Sequence, residues 1–117
     1  MTYIDIAVYA VPTASKNAFK THAEQIAPLF RKHGAIAVAD CWGADVPGGE
    51  VTSLPMAVKC RDEETVAFSC ITWPSKAVRD TGMPKAMADM RALGGGTPMP
   101  FDGKRMIFGG FEVMVEA

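Results

Sequence analysis

The sequence lacks the segments that direct a protein into or across a membrane. It contains no run of about 18 apolar residues, the minimum for a spanning helix. It also lacks the pattern of a signal peptide, a basic stretch followed by a long apolar core, because Asp5 interrupts the first apolar segment. We therefore expect a cytoplasmic protein without a membrane partner.

An excess of either charge is also missing. The 12 Lys and Arg residues nearly balance the 13 Asp and Glu residues, so the formal net charge is -1. Nucleic acid binding needs a concentrated basic face, and we expect no such partner. Hydrophobic residues make up 49% and charged residues 21% of the 117 residues. This composition predicts one globular domain, residues 1–117, that folds without a metal or a disulfide.

Metal-ligating residues are few and poorly spaced. Cys41, Cys60 and Cys70 form an odd set without a CxxC pair, and His22 and His33 do not lie four residues apart. Such cysteines are typical of reduced thiols in a reducing compartment. A structural zinc site needs four ligands. We expect neither a metal nor a cofactor.

Apolar periodicity predicts four strands and two helices. The strand segments are 3–11, 35–43, 64–73 and 106–115, and the helical segments are 15–33 and one that opens at Pro74-Ser75. Segments 44–57 and 94–105 are rich in Gly and Pro, which predicts loops. Pro28 should kink the first helix, and Gly82 with Pro84 should interrupt the second. The order β-α-β-β-α-β predicts an α+β, ferredoxin-like fold, a four-stranded antiparallel sheet with both helices on one face.

The sheet face that the helices leave uncovered is predicted to be apolar. We place Tyr3, Ala7 and Tyr9 on that face, and segment 106–115 carries large apolar side chains on both of its sides. An exposed apolar patch larger than a few hundred Å² usually marks an interface. We therefore expect a homodimer in which two sheets pack face to face.

Three stretches of the chain resemble a known family. They are YIDIAVYAVP, KHGAIAVADCWGADVPGGEVTSLPMAVK and MPFDGKRMIFGGFEV. They resemble the YbaA-like family of uncharacterised small bacterial proteins along residues 3–115, most specifically in MPFDGKRM at 99–106. The resemblance implies the dimeric α/β barrel, in which two ferredoxin-like sheets close against each other.

The resemblance implies no reaction. The wider superfamily includes cofactor-free monooxygenases, haem-degrading enzymes and ligand-sensing modules, and fold does not fix function within such a set. The chain also departs from the family pattern at two positions. Cys70 stands where a tryptophan is expected and Ala37 where a larger polar residue is expected. We expect both to reshape a pocket between the sheet and the helices.

Two carboxylates in strand segments are the candidate acid–base residues. Asp5 lies inside an apolar strand and shares a face with Tyr3 and Tyr9. A buried carboxylate beside phenols can act as an acid or base. The alternative is a carboxylate that lies at the barrel rim or binds a backbone amide. Asp40 shares a face with Trp42, an arrangement that suits an aromatic or amine ligand. Alternatively, Trp42 packs in the dimer and Asp40 is solvated.

The motif FDGKR at 101–105 is a candidate anion site. Lys104 and Arg105 lie together at a loop-to-strand junction, where they suit an anionic group. Asp102-Gly103 is equally typical of a structural turn. The candidate ligand-binding residues are Tyr3, Trp42, Asp102, Lys104 and Arg105.

These residues favour a protein that binds a small organic ligand in a cleft between the sheet and the helices. If the protein is an enzyme, we expect a cofactor-independent reaction at an activated carbon. Asp5 or Asp40 would be the base, and Tyr9 the hydrogen-bond donor. The alternative is a non-catalytic dimeric module for interaction or ligand sensing.

Overall fold

A computed structural model of the chain describes residues 1–93 and 99–117. Its elements are β1 (Tyr3–Pro12), α1 (Lys16–Lys32), β2 (Ala37–Trp42), α2 (Leu54–Ala57), β3 (Glu64–Trp73), α3 (Lys76–Leu93) and β4 (Ile107–Glu112). The four strands form one sheet in the order β2-β3-β1-β4, with every pairing antiparallel. The predicted order is therefore observed, with the short helix α2 added. Part of the predicted loop 94–105, residues 94–98 with their three glycines, lies outside the described residues.

Each long helix has a proline inside it and continues past it. Pro28 lies within α1 and Pro84 within α3. The prediction that Gly82 and Pro84 interrupt the second helix is wrong, because α3 runs unbroken from Lys76 to Leu93. Packing holds α3 together at this point, since Gly82 lies directly against the carbonyl of His33 and the ring of Trp73. Within the described residues, none of the helices is long and apolar enough to cross a membrane.

The helices cover the sheet face that carries Tyr3, Asp5 and Tyr9. Tyr3 belongs to a buried cluster that includes Phe30 of α1 and Trp73 of β3. The assignment of Tyr3, Ala7 and Tyr9 to the uncovered face is therefore wrong. The polar atoms of Asp5 and Tyr9 have hydrogen-bond partners on this face, so burial beneath the helices does not leave them unsatisfied.

The opposite face, called here the outer face, is largely apolar. Directly paired residues of antiparallel strands share a face, and the pairings of β1 define this one. Its members are Ile4, Ile6, Val8, Ala10, Pro12, Ala37, Ala39, Cys41, Glu64, Val66, Phe68, Cys70, Thr72, Ile107, Gly109 and Phe111. Glu64 is the charged strand residue on this face, and it lies at the start of β3 opposite Pro12. Val58, which follows α2, covers one end by packing with Val8 and Val66. The other end of the outer face, which carries Phe111, is uncovered, and Phe111 is 54% exposed.

Replacement of Gly82 by alanine should destabilise the protein. An added Cβ would lie 2.8 Å from the Trp73 ring and closer still to the backbone carbonyl of His33. Neither neighbour is a flexible chain end, so we expect a loss of about 2 kcal/mol in the free energy of unfolding. Gly48→Ala is the matched control, because nothing lies within 4 Å of its added Cβ. Urea unfolding of both variants measures the difference, and equal midpoints would contradict the packing described.

Candidate functional site

A cavity of about 310 Å³ lies between the helix-covered face of the sheet and the two long helices. Its wall is mostly apolar, and segment 99–106 forms part of it. Four methionines contribute to the wall, namely Met87, Met90, Met99 and Met106. Methionine side chains adapt readily to the shape of a ligand. Phe101 lies against Tyr9 with ring centroids 4.4 Å apart, so the family-specific segment closes over the polar part of the cavity.

Three polar side chains form a hydrogen-bonded chain in the wall of the cavity. The Tyr9 hydroxyl donates to Oγ of Ser69 at 2.8 Å, and the Ser69 hydroxyl donates to Oδ1 of Asp40 at 2.5 Å. Asp40 and Ser69 are direct cross-strand partners of β2 and β3. Burial raises the pKa of Tyr9, the bond to Ser69 opposes this rise, and the Asp40 carboxylate adds to it. Tyr9 is therefore a protonated hydrogen-bond donor at neutral pH.

His22 of α1 also lines this cavity. It follows Phe19 by three residues and precedes Ile26 by four, so all three lie on one helix face. His22 is half-buried beside Phe101. Burial lowers the pKa of His22, and the nearby Asp40 carboxylate opposes that change. The helical spacing from Phe19 is the sequence signal that could have identified it.

Asp5 borders the cavity, but its carboxylate is occupied by another element. It accepts hydrogen bonds from Trp73 Nε1 at 3.0 Å and from Arg79 Nε and Nη2 at 3.0 and 2.8 Å. The Arg79 guanidinium also lies 5.1 Å from the ring centroid of Tyr3. Asp5 and Tyr3 therefore anchor α3 to the sheet, and these contacts do not support the base role considered for Asp5. No periodic pattern in the sequence identified Arg79.

Trp42 lies beside the cavity rather than in it. Its ring is 5.9 Å from that of Phe19, and the ammonium of Lys16 lies 5.7 Å from its centroid. Trp42 and Asp40 line a separate groove on the outside of α1. The expectation that these two residues share a face is met, and Asp40 borders both spaces.

The FDGKR motif forms a turn closed by its own charges. Oδ1 of Asp102 accepts from the backbone N–H of Lys104 at 3.0 Å. Arg105 makes two bonds of 2.7 Å to the carboxylate of Glu64, and it also donates to the backbone carbonyl of Lys59. The Arg105 guanidinium lowers the pKa of Glu64 to about 2. The anion role expected of Arg105 is therefore not supported, since a carboxylate of the chain already holds it.

The two departures from the family pattern lie away from the cavity. Cys70 pairs with Ile6, and Ala37 pairs with Thr72, which places both on the outer face. The expectation that they reshape a pocket between sheet and helices is wrong. Because successive side chains of a strand point to opposite faces, Cys70 and Ala37 point to the face that the helices do not cover.

The described residues include no group of three or more His, Cys, Asp or Glu side chains that could hold a metal ion. The cavity wall itself offers Asp40 as a hydrogen-bond acceptor and His22 as a donor or an acceptor.

A model of the family described as "Protein of unknown function (DUF1428)" matches residues 2–103 of the chain. The Uncharacterized protein YbaA of Escherichia coli strain K12 is 49% identical over 116 residues, which cover 99% of both chains. The resemblance to the YbaA-like family is confirmed.

Solved structures share the fold at low sequence identity. A putative antibiotic biosynthesis monooxygenase from Bordetella bronchiseptica has a TM-score of 0.64 at 14% identity, covering 97% of this chain and 98% of its own. SnoaB of Streptomyces nogalater, described as a cofactor-independent oxygenase, has a TM-score of 0.59 at 11% identity, with 98% and 95% covered. A dimeric ferredoxin-like protein from an uncultured marine organism has a TM-score of 0.59 at 9% identity, with 99% and 98% covered. These likenesses confirm the ferredoxin-like α+β fold.

The ion pair between Glu64 and Arg105 predicts a loss of stability in acid. The pKa of Glu64 is about 2 in the folded protein against an ordinary 4.5. Its stabilising contribution is therefore complete above pH 4.5 and disappears as the pH falls towards 2. Glu64→Gln should lower the free energy of unfolding by about 1–2 kcal/mol at neutral pH, a value reduced by solvent screening.

Urea unfolding at neutral pH and at about pH 3 measures this effect. The difference between Glu64→Gln and the unsubstituted protein should shrink at the lower pH. Glu63→Gln is the control, because Glu63 is the exposed neighbour of Glu64. A difference independent of pH would show that the ion pair does not stabilise the fold.

Proposed function

Because the chain belongs to the DUF1428 family of proteins of unknown function, we propose its activity from the cavity itself. The protein binds a small, largely apolar organic molecule that carries a weakly acidic hydroxyl, such as a phenol. The cavity volume of about 310 Å³ is near the lower end of the range for small-molecule sites. Its mostly apolar wall and few convergent polar groups are typical of such sites.

The position of Asp40 is the observation that carries this proposal. Ser69 holds Oδ1 of Asp40, while Oδ2 makes no hydrogen bond to any of the described residues. Oδ2 is therefore available to a ligand. A phenol hydroxyl would donate a hydrogen bond to this oxygen, and a C–H made acidic by an adjacent carbonyl would transfer its proton to it.

The groups around Asp40 support proton transfer without a cofactor. The Tyr9 hydroxyl, which burial keeps protonated, donates to Ser69, and Ser69 in turn donates to Asp40. This chain of donors holds the Asp40 carboxylate in a fixed position, and preorganised groups of this kind favour catalysis. Phe101 and the methionines line the space beside it. The description of SnoaB as a cofactor-independent oxygenase supports this class of chemistry for the fold.

β-Naphthol tests the binding site, because it is apolar and carries one weakly acidic hydroxyl. Asp40→Asn keeps the shape of the side chain but removes its negative charge. It should weaken β-naphthol binding about tenfold, because the loss of one hydrogen bond to a charged group costs about 1.4 kcal/mol of binding free energy. Asp45→Asn, an exposed aspartate in the loop after β2, is the control and should bind normally. Isothermal titration calorimetry measures both. Equal affinity in the two variants would remove Asp40 from the site.

Exchange of the C1 hydrogen of β-naphthol for deuterium tests catalysis on the same samples. The ring takes up a deuteron at C1, and a base then removes the C1 hydrogen of the resulting ketone, which restores the aromatic ring. The unsubstituted protein should accelerate the exchange in deuterated water, and Asp40→Asn should abolish the acceleration. Proton NMR measures the rate. Binding without accelerated exchange would favour the ligand-sensing module over the enzyme.

A homodimer through the outer face is the second part of the proposal. The support is the largely apolar outer face, with its exposed Phe111. The dimeric ferredoxin-like protein of the same fold adds to it. The cytoplasm is the proposed location, which the unpaired Cys41, Cys60 and Cys70 support.

Light scattering at micromolar concentration should give about twice the chain mass of 12.5 kDa. Phe111→Asp places a charge on the outer face and should shift the protein towards monomer. Phe108→Asp is the matched control, because Phe108 lies on the same strand but faces the other side and is 77% exposed. A monomer before substitution, or equal masses for both variants, would contradict the dimer.

A further inference from the structure

A groove separate from the cavity runs between α1 and the edge strand β2. Its volume is about 390 Å³, and its lining is largely apolar. Ala23 and Ala27 of α1 contribute small side chains, which leave room between the helix and Trp42. The groove and the cavity share Phe19, Ala23 and Asp40 as walls, whereas Lys16, Lys20 and Trp42 line the groove only.

The charges along this groove are ordered from one end to the other. Lys16, Lys20 and Glu24 follow one another at four-residue steps, so they lie in successive turns on one face of α1. All three line the groove. Among the described residues, neither Lys16 nor Lys20 forms an ion pair within 4 Å. The groove therefore has a positive end with two available ammonium groups and a negative end.

An aromatic surface lies beside the positive end. The half-buried Trp42 ring packs near Phe19, and Lys16 places its ammonium 5.7 Å from the Trp42 centroid. A flat ring can lie along such a surface with a negatively charged substituent at the ammonium group. Asp40 lies two residues before Trp42 on the same strand face and adds an acceptor to the groove wall.

We infer that this groove binds a planar aromatic acid with a hydrogen-bond donor at its far end. The carboxylate lies at Lys16 and Lys20, and the ring lies on Trp42. The far donor, a hydroxyl or an amide, lies towards Glu24. A cation at the aromatic surface is disfavoured, because the two lysines repel it. This second site goes beyond the proposed function, since Lys16, Lys20 and Trp42 line the groove and not the cavity.

para-Hydroxybenzoate and para-hydroxybenzamide are the probes, because they share a ring and a hydroxyl but differ in charge. Each should be titrated into the protein while tryptophan fluorescence is followed. Trp42 is the responding group, since Trp73 is fully buried. The acid should bind more tightly than the amide, and Trp42→Phe should remove the fluorescence response.

The lysines are tested by the double variant Lys16→Gln/Lys20→Gln. It should weaken binding of the acid about tenfold, because each exposed pair contributes up to about 1 kcal/mol, and leave binding of the amide unchanged. Lys85→Gln, an exposed lysine on α3, is the control for lost charge. Equal affinities of the acid for the double variant and the control would overturn the inference. So would equal affinities of the unsubstituted protein for acid and amide.

Failure of this inference can be told apart from failure of the proposed function. Met106→Ala alters the cavity alone, because Met106 lines the cavity and not the groove, and it should leave para-hydroxybenzoate binding unchanged. The double lysine variant alters the groove alone and should leave β-naphthol binding unchanged. If Met106→Ala weakened binding of the acid, the acid would be a ligand of the cavity, and the second site would be rejected.

Discussion

The bidentate ion pair between Asp5 and Arg79 is the contact on which the arrangement of the helices depends. It joins the middle of the sheet to α3, and Trp73 donates to the same carboxylate. Charges removed from water are retained only where they are paired and hydrogen-bonded. Met87 and Met90 of α3 line the cavity. The ion pair therefore sets the distance between α3 and the sheet at the cavity.

A second ion pair performs the same role for segment 99–106. Arg105 binds Glu64 at the start of β3, and the turn at Asp102 sets the direction of the chain. Phe101 is thereby held over Tyr9. Segment 99–106, the most family-specific stretch, thus shapes the cavity by forming part of its wall. Asp40 and its hydrogen-bond partners are the polar groups that would contact a ligand. The two faces of the sheet differ: the hydrogen-bonded groups Asp5, Tyr9, Asp40 and Ser69 lie under the helices, and the outer face is largely apolar.

Sequence reasoning predicted the element order because the change from period 2 to period 3.6 is a local property. It misplaced Tyr3 and Tyr9 because alternation says which residues share a face but not which face the helices cover. Their polar partners, Arg79 and Ser69, are 76 and 60 residues away along the chain, so no local pattern reveals them. Asp40 and Trp42 were correctly placed together, since they are two residues apart on one strand. The contact of Asp40 with Ser69 depends on strand register, which only the folded sheet provides.

The structure of crystals soaked with β-naphthol is the most direct test of the cavity as a ligand site. We predict the naphthol ring between the methionine wall and the sheet, with its oxygen within hydrogen-bond distance of Oδ2 of Asp40. A cavity filled by Phe101 and Met99, with the ligand absent or bound away from Asp40, would contradict it.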